Sequence, residues 1–151
     1  MTARGLTHAE VALARSVFGD AIRYDAVRVH AAKWWPFQPR QIAMAPNGHL
    51  YFSPRGDLYC DDFCDRPLNR QGLFIHEMTH VWQHQTGTNL ILRRHPFCRY
   101  HYAVKPGWTL KRYGIEQQAE IVRHSFLLAA GEPVPGAPPL EVYREILPFS
   151  A

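Results

Sequence analysis

The chain has 151 residues, 46% hydrophobic and 20% charged, which suits one globular domain with a buried core and excludes a disordered or fibrous chain. Its net charge is +4, but the basic residues are scattered and not gathered in a dense stripe, so nucleic-acid binding is not expected. No apolar run approaches the length of a membrane span, the start Met-Thr-Ala-Arg-Gly lacks an apolar leader, and Cys60, Cys64 and Cys98 give no disulfide framework, so neither a membrane span nor Sec-type export is expected.

Taken in order, Thr7-His8-Ala9-Glu10 has the form of a capping box, and the segment from there to Phe18 reads as a helix stopped by Gly19. Val27 to His30 alternates and reads as a short strand; Trp34, Trp35 and Phe37 read as core or as an interface between layers. Asn47-Gly48 between Gln41–Ala45 and Leu50–Ser53 predicts a β-hairpin. A polar loop from Arg55 to Arg66 leads to the stretch from Gly72 to Gly87, an almost uncharged helix whose composition suits burial on both sides. Pro106-Gly107 between Tyr100–Val104 and Trp108–Tyr113 predicts a type II turn and a second hairpin. Ile115 to Ala130 reads as another helix ended by Gly131. Residues 1–131 are then the main domain, and 132–151 a Pro-rich connector with a short terminal helix over Leu140–Leu147. The expected class is α+β, with a small antiparallel sheet beside a central helix.

That central helix carries His76-Glu77-Met78-Thr79-His80. Residues four apart share a helix face with Cβ atoms roughly 5–6 Å apart, so both imidazoles can reach one Zn²⁺. Glu77 lies about 100° round the helix, where a carboxylate can act as general base on a metal-activated water. His84 cannot join, because eight residues of helix rise about 12 Å. Glu116 and Glu120, four apart near the start of the later helix, are the better source of a third ligand. Glu116 binding the metal with Glu120 holding the second nitrogen of a ligand histidine is one assignment; Glu120 or His124 as ligand is the other. The cluster Arg93, Arg94, His95 and Arg99 reads as a solvated face or a rim around a groove.

His76-Glu77-Met-Thr-His80 followed by Glu116-Gln-Gln-Ala-Glu120 resembles the gluzincin branch of zinc metallopeptidases, the thermolysin-like type. That resemblance implies a zincin-like fold with His76, His80 and Glu116 on zinc, Glu77 as base and Glu120 orienting a ligand imidazole. Peptide hydrolysis would also need a nearby donor for the tetrahedral oxyanion; Tyr100, Tyr102, Tyr113 and Arg99 are the candidates, with Tyr102 taken first. Through His-Glu-Met-Thr-His-Val-Trp-Gln-His-Gln and Ile-Glu-Gln-Gln-Ala-Glu-Ile-Val, the whole chain is similar to small bacterial Vgr-related proteins associated with type VI-like secretion spikes. The expected function is zinc-dependent hydrolysis of a peptide or protein substrate by a secretion-associated effector. The rival is a zinc-stabilised adaptor or cargo module of a secretion spike. Either would sit in the cytoplasm until exported by a contractile, non-Sec route.

Overall fold

The computed structural model describes residues 3–93 and 98–149, so Arg94 and His95 of the basic cluster lie outside the described residues. Among the described residues the fold is mixed α+β, with a three-stranded sheet and five α-helices. The strands are β1 (Ala3–Arg4), β2 (Val29–His30) and β3 (Leu50–Tyr51), in the order β1-β2-β3. The helices are α1 (His8–Phe18), α2 (Leu68–Gln85), α3 (Leu90–Arg93), α4 (Ile115–Ala129) and α5 (Leu140–Ile146).

Helix α1 begins as its capping box requires. Thr7 Oγ1 accepts from the Glu10 amide at 3.0 Å, and Glu10 Oε1 accepts from the Thr7 amide at 3.0 Å. Glu10 does more than cap. It is fully buried, takes both terminal nitrogens of Arg4 at 2.8 and 3.0 Å, and accepts from the Phe63 amide at 2.9 Å. One carboxylate therefore ties β1, α1 and the loop before α2 together. Glu10→Ala leaves a guanidinium and two amides without their acceptor, and a loss of about 3–5 kcal/mol is expected by urea unfolding. Stability unchanged from wild type would show that Glu10 is only a helix cap.

The sheet departs from the pattern that the sequence suggests. β1 is antiparallel to β2, but β2 and β3 run parallel, with Val29 opposite Leu50 and His30 opposite Tyr51. The expected hairpin around Asn47-Gly48 is reduced to one antiparallel bridge between Met44 and Tyr51, although the turn forms and Gly48 adopts φ +89°. The reason is Gln38. Its buried amide donates to the carbonyls of Ile42 and Tyr51 at 2.9 and 3.0 Å, taking the place where a ladder would continue.

The second hairpin is absent. The Pro106-Gly107 turn is present, with the Trp108 amide bonded to the Lys105 carbonyl at 3.2 Å and Gly107 at φ +78°. Its flanks satisfy their polar groups elsewhere: the Lys105 amide donates to the Tyr113 hydroxyl at 3.0 Å, and Gln117 Nε2 donates to the His101 carbonyl at 2.8 Å. Trp108 stacks under the Lys105 and Arg112 cations at 4.7 Å each, and Leu110–Arg112 winds a 3₁₀ turn into α4. Trp34, Trp35 and Phe37 are not core either; they are 37%, 49% and 76% exposed.

Core and helix termini do follow the sequence. Val29, Leu50 and Phe52 line the inner sheet face with no exposure, against Phe63, Phe74 and Met78. Helix α2 ends in a Schellman turn at Gly87 (φ +100°), with the Thr88 amide bonded to the Gln83 carbonyl. Helices α2 and α4 pack closely at Gly72, where a Cβ would sit 3.3 Å from Arg123 Nε and Leu127 Cδ2. The C-terminal segment packs on this pair through Tyr143, Ile146 and Phe149, whose ring meets Trp82 at 5.0 Å. No helix of the described residues is long and apolar enough to cross a membrane.

Candidate metal centre

The residues from Phe74 to Gln83 are buried on every side of α2, so its polar side chains must find partners inside the protein. They find them on α4. His76 Nε2 and His80 Nε2 lie 3.1 and 3.0 Å from the same oxygen, Oε1 of Glu116. His76 Nδ1 lies 2.8 Å from Glu120 Oε2, and His80 Nδ1 lies 2.8 Å from Gln83 Oε1.

The hydrogen-bond network fixes the tautomers. Gln118 Nε2 donates to the Tyr113 carbonyl at 2.8 Å, which leaves Gln118 Oε1 to accept from Gln83 Nε2 at 3.0 Å. Gln83 Nε2 also donates to the Ile115 carbonyl at 3.0 Å, so Gln83 turns its oxygen toward His80. The proton between them therefore sits on His80 Nδ1. The Glu120 carboxylate places a proton on His76 Nδ1 by the same logic. When neutral, both imidazoles aim the Nε2 lone pair at an anionic oxygen. Three acceptors facing one another repel; a proton between His76 and Glu116, or a metal cation at the centre of the three, removes the conflict. The donor atoms of His76, His80 and Glu116 lie within 4.8 Å of one another, and among the described residues this is the group able to hold a metal ion. Two imidazoles and a carboxylate suit zinc.

The electrostatics favour positive charge at this point. Burial alone would lower the pKa of His76, but hydrogen bonds that its protonated ring donates to Glu116 and Glu120 override it and push it up to about 10, so the place a metal would take can also hold a proton. Glu116, in spite of its burial, is held well below the usual carboxylate range by His76 and His80. Glu120 is lowered against its burial by the bond to His76, with Arg123 Nη1 donating to it at 3.1 Å. Glu77 differs: burial raises its pKa, with His76 and His80 opposing. Its Oε2 is 3.8 Å from His76 Nε2, beyond hydrogen-bond length, and its carboxylate lines the cleft.

The cleft is also lined by the segment from Ile42 to Pro46 and by Leu90, Tyr100 and Ile115. Met44 bonds Tyr51 through both its amide and its carbonyl, and Ala43 and Ala45 on either side of it line the cleft. The expected oxyanion donors separate. Tyr100 lines the cleft, its ring 6.0 Å from that of His76 and near parallel to it. Tyr102 is not brought there: its hydroxyl meets His124 Nδ1 at 2.7 Å and the Tyr143 hydroxyl, beside a second cavity that Glu120 also lines. Tyr113 is buried under Lys105, and Arg99 is exposed. His124 Nε2 stays 3.8 Å from Glu120, and His84 is exposed against Gly48. Gln83 is the site residue that sequence reasoning missed, although its spacing of three from His80 was a usable signal.

No family model matches the chain. In an alignment of 134 positions that covers 82% of its length, it is 48% identical to the type VI secretion system spike protein VgrG2b of Pseudomonas aeruginosa, and it spans only 13% of that protein. Its structure is similar to the effector domain of Pseudomonas aeruginosa VgrG2b, with a TM-score of 0.74 and 45% identity, covering 84% of this chain and 75% of that one. With that identity over that share of the domain, the chain belongs to the family of the VgrG2b effector domain.

Proposed function

We propose that the chain is a zinc-dependent peptide-bond hydrolase of the gluzincin kind, acting as an effector exported with a type VI-like secretion spike. The observation that carries the hydrolase reading is the convergence of two tautomer-fixed imidazoles on Glu116 beside an unligated, buried Glu77. The export reading rests on kinship with the VgrG2b effector domain. Zinc held by His76, His80 and Glu116 would supply a Lewis acid that polarises a carbonyl and lowers the pKa of water to about 7.

The chain's own residues supply the rest. Glu77 takes the proton of the attacking water and can return it to the leaving amine; its burial-raised pKa brings it nearer the working pH of such a base. Glu120 and Gln83 hold the two imidazoles in register by their Nδ1 protons. Ala43 and Ala45, which line the cleft, offer an edge along which an extended substrate backbone can pair. Tyr100 is the candidate donor to the oxyanion that borders this space.

Elemental analysis of the untagged protein is expected to find about one zinc per chain, the stoichiometry of a single three-ligand site. Cleavage of a peptide library is expected to stop with chelator and return with zinc. A folded chain that ignores zinc removes the hydrolase reading. A zinc-loaded chain that cleaves nothing hands the site to the adaptor reading.

A further inference from the structure

Large apolar side chains that stay exposed among the described residues fall on two stretches. Trp34, Trp35, Phe37 and Ile42 occupy one; Ile91, Leu92 and Tyr100 occupy the other. Each stretch reaches the same cleft, the first through Ile42 and the second through Leu90 and Tyr100. Exposed apolar groups concentrated around one opening mark a surface that something covers.

The first stretch is rigidly held. Gln38, 1% exposed, accepts from the Trp34 amide at 2.7 Å and donates to the carbonyls of Ile42 and Tyr51. Trp35 and Phe37 meet edge to face at 5.4 Å. Phe37 is 76% exposed and Leu92 is 80% exposed, so both are projecting tips and not the walls of a groove.

The charge around them has one sign. There is no Asp or Glu from Ala26 to Gly56, nor from Met78 to Ile115. Lys33 and the exposed Arg40 flank the first stretch, and the exposed Arg93 and Arg99 flank the second. The two stretches themselves are therefore apolar, aromatic and cationic; the nearest carboxylates are Glu77 and Glu116 within the cleft and Asp57 beyond Arg40, where Asp57 pairs with Arg70.

We propose that this rim docks on an anionic lipid surface, with Trp35, Phe37 and Leu92 entering the headgroup boundary and the flanking cations meeting lipid phosphates. Aromatic tips prefer that boundary, and basic residues are drawn to anionic leaflets. A polypeptide partner would need a matched pocket for each projecting side chain, whereas a fluid interface accepts all of them at once, whatever their spacing. The attachment is interfacial and does not require a spanning helix. It is also independent of the chemistry in the cleft.

The test is co-sedimentation of the full chain with phosphatidylcholine vesicles, with and without phosphatidylglycerol. Binding is expected only with the anionic lipid, weakening as salt is raised. Replacing Trp35 and Phe37 together by Ser should weaken binding by about 10-fold or more, from the apolar area withdrawn. Lys33→Glu with Arg40→Glu should weaken it by about 5-fold or more per residue. Leu92→Ser, on the second stretch, should weaken it as well. All five side chains lie at the surface, so thermal melts are expected to match wild type. Failure to bind anionic vesicles, or binding that these variants leave unchanged, overturns the proposal. So does a rise in KM for peptide cleavage in the aromatic variant without vesicle binding by wild type, which would make the rim a polypeptide subsite.

Discussion

Glu77→Gln is expected to keep the fold and the metal affinity while lowering hydrolysis by a factor of about 100 to 10,000, the usual worth of a positioned general base. Gln matches Glu in shape and can still hydrogen-bond to water, but it cannot accept a proton. The side chain is 4% exposed and its pKa is raised by burial, so the uncharged amide relieves a desolvation cost and should not destabilise the protein. Glu77 also makes no close contact to the proposed zinc ligands: its nearest approach to His76 Nε2 is 3.8 Å. Thermal melting and zinc content of the variant should therefore match wild type, and the difference should appear in turnover alone. Equal cleavage of a peptide library by both proteins would remove Glu77 from the chemistry.

What could be foreseen from sequence divides by the range of the interactions. Helix α1 was legible because Thr7 and Glu10 cap it within four residues, and α2 and α4 because Gly87 and Gly131 close them locally. His76, Glu77 and His80 were legible for the same reason, since spacing on one helix sets their geometry. The strand pattern was not. The ladder expected at Gln41–Ala45 is interrupted by Gln38, whose side chain competes with backbone, and nothing in the local pattern reports that contact. The flanks of Pro106-Gly107 fail to pair because Tyr113 and Gln117 take their polar groups, and Trp108 prefers two cations to a cross-strand neighbour. Tyr100 and Tyr102 would share a face in a regular strand. In the irregular segment they part, one to the cleft and one to His124 and Tyr143.

Substitutions on α4 and at Gln83 should separate the proposed ligand from the groups that orient it. Glu116→Ala removes the carboxylate on which both Nε2 atoms converge and leaves two neutral imidazoles, so zinc affinity should fall by well over the roughly 10–100-fold typical of orienting partners. Glu120→Ala removes only the acceptor for His76 Nδ1–H, and a loss of about 10–100-fold is expected. Gln83→Ala frees His80 Nδ1 in the same way and should cost a similar factor. That variant also strips the Ile115 carbonyl and Gln118 of a buried donor, so its unfolding midpoint should drop where that of Glu120→Ala need not. His124→Ala should leave zinc affinity unchanged, because the ring faces Tyr102 and not the converging nitrogens. Chelator competition ranks the four variants. A Glu116→Ala protein that holds zinc as tightly as wild type would sink the assignment, and a larger loss in Glu120→Ala than in Glu116→Ala would exchange the roles of the two carboxylates.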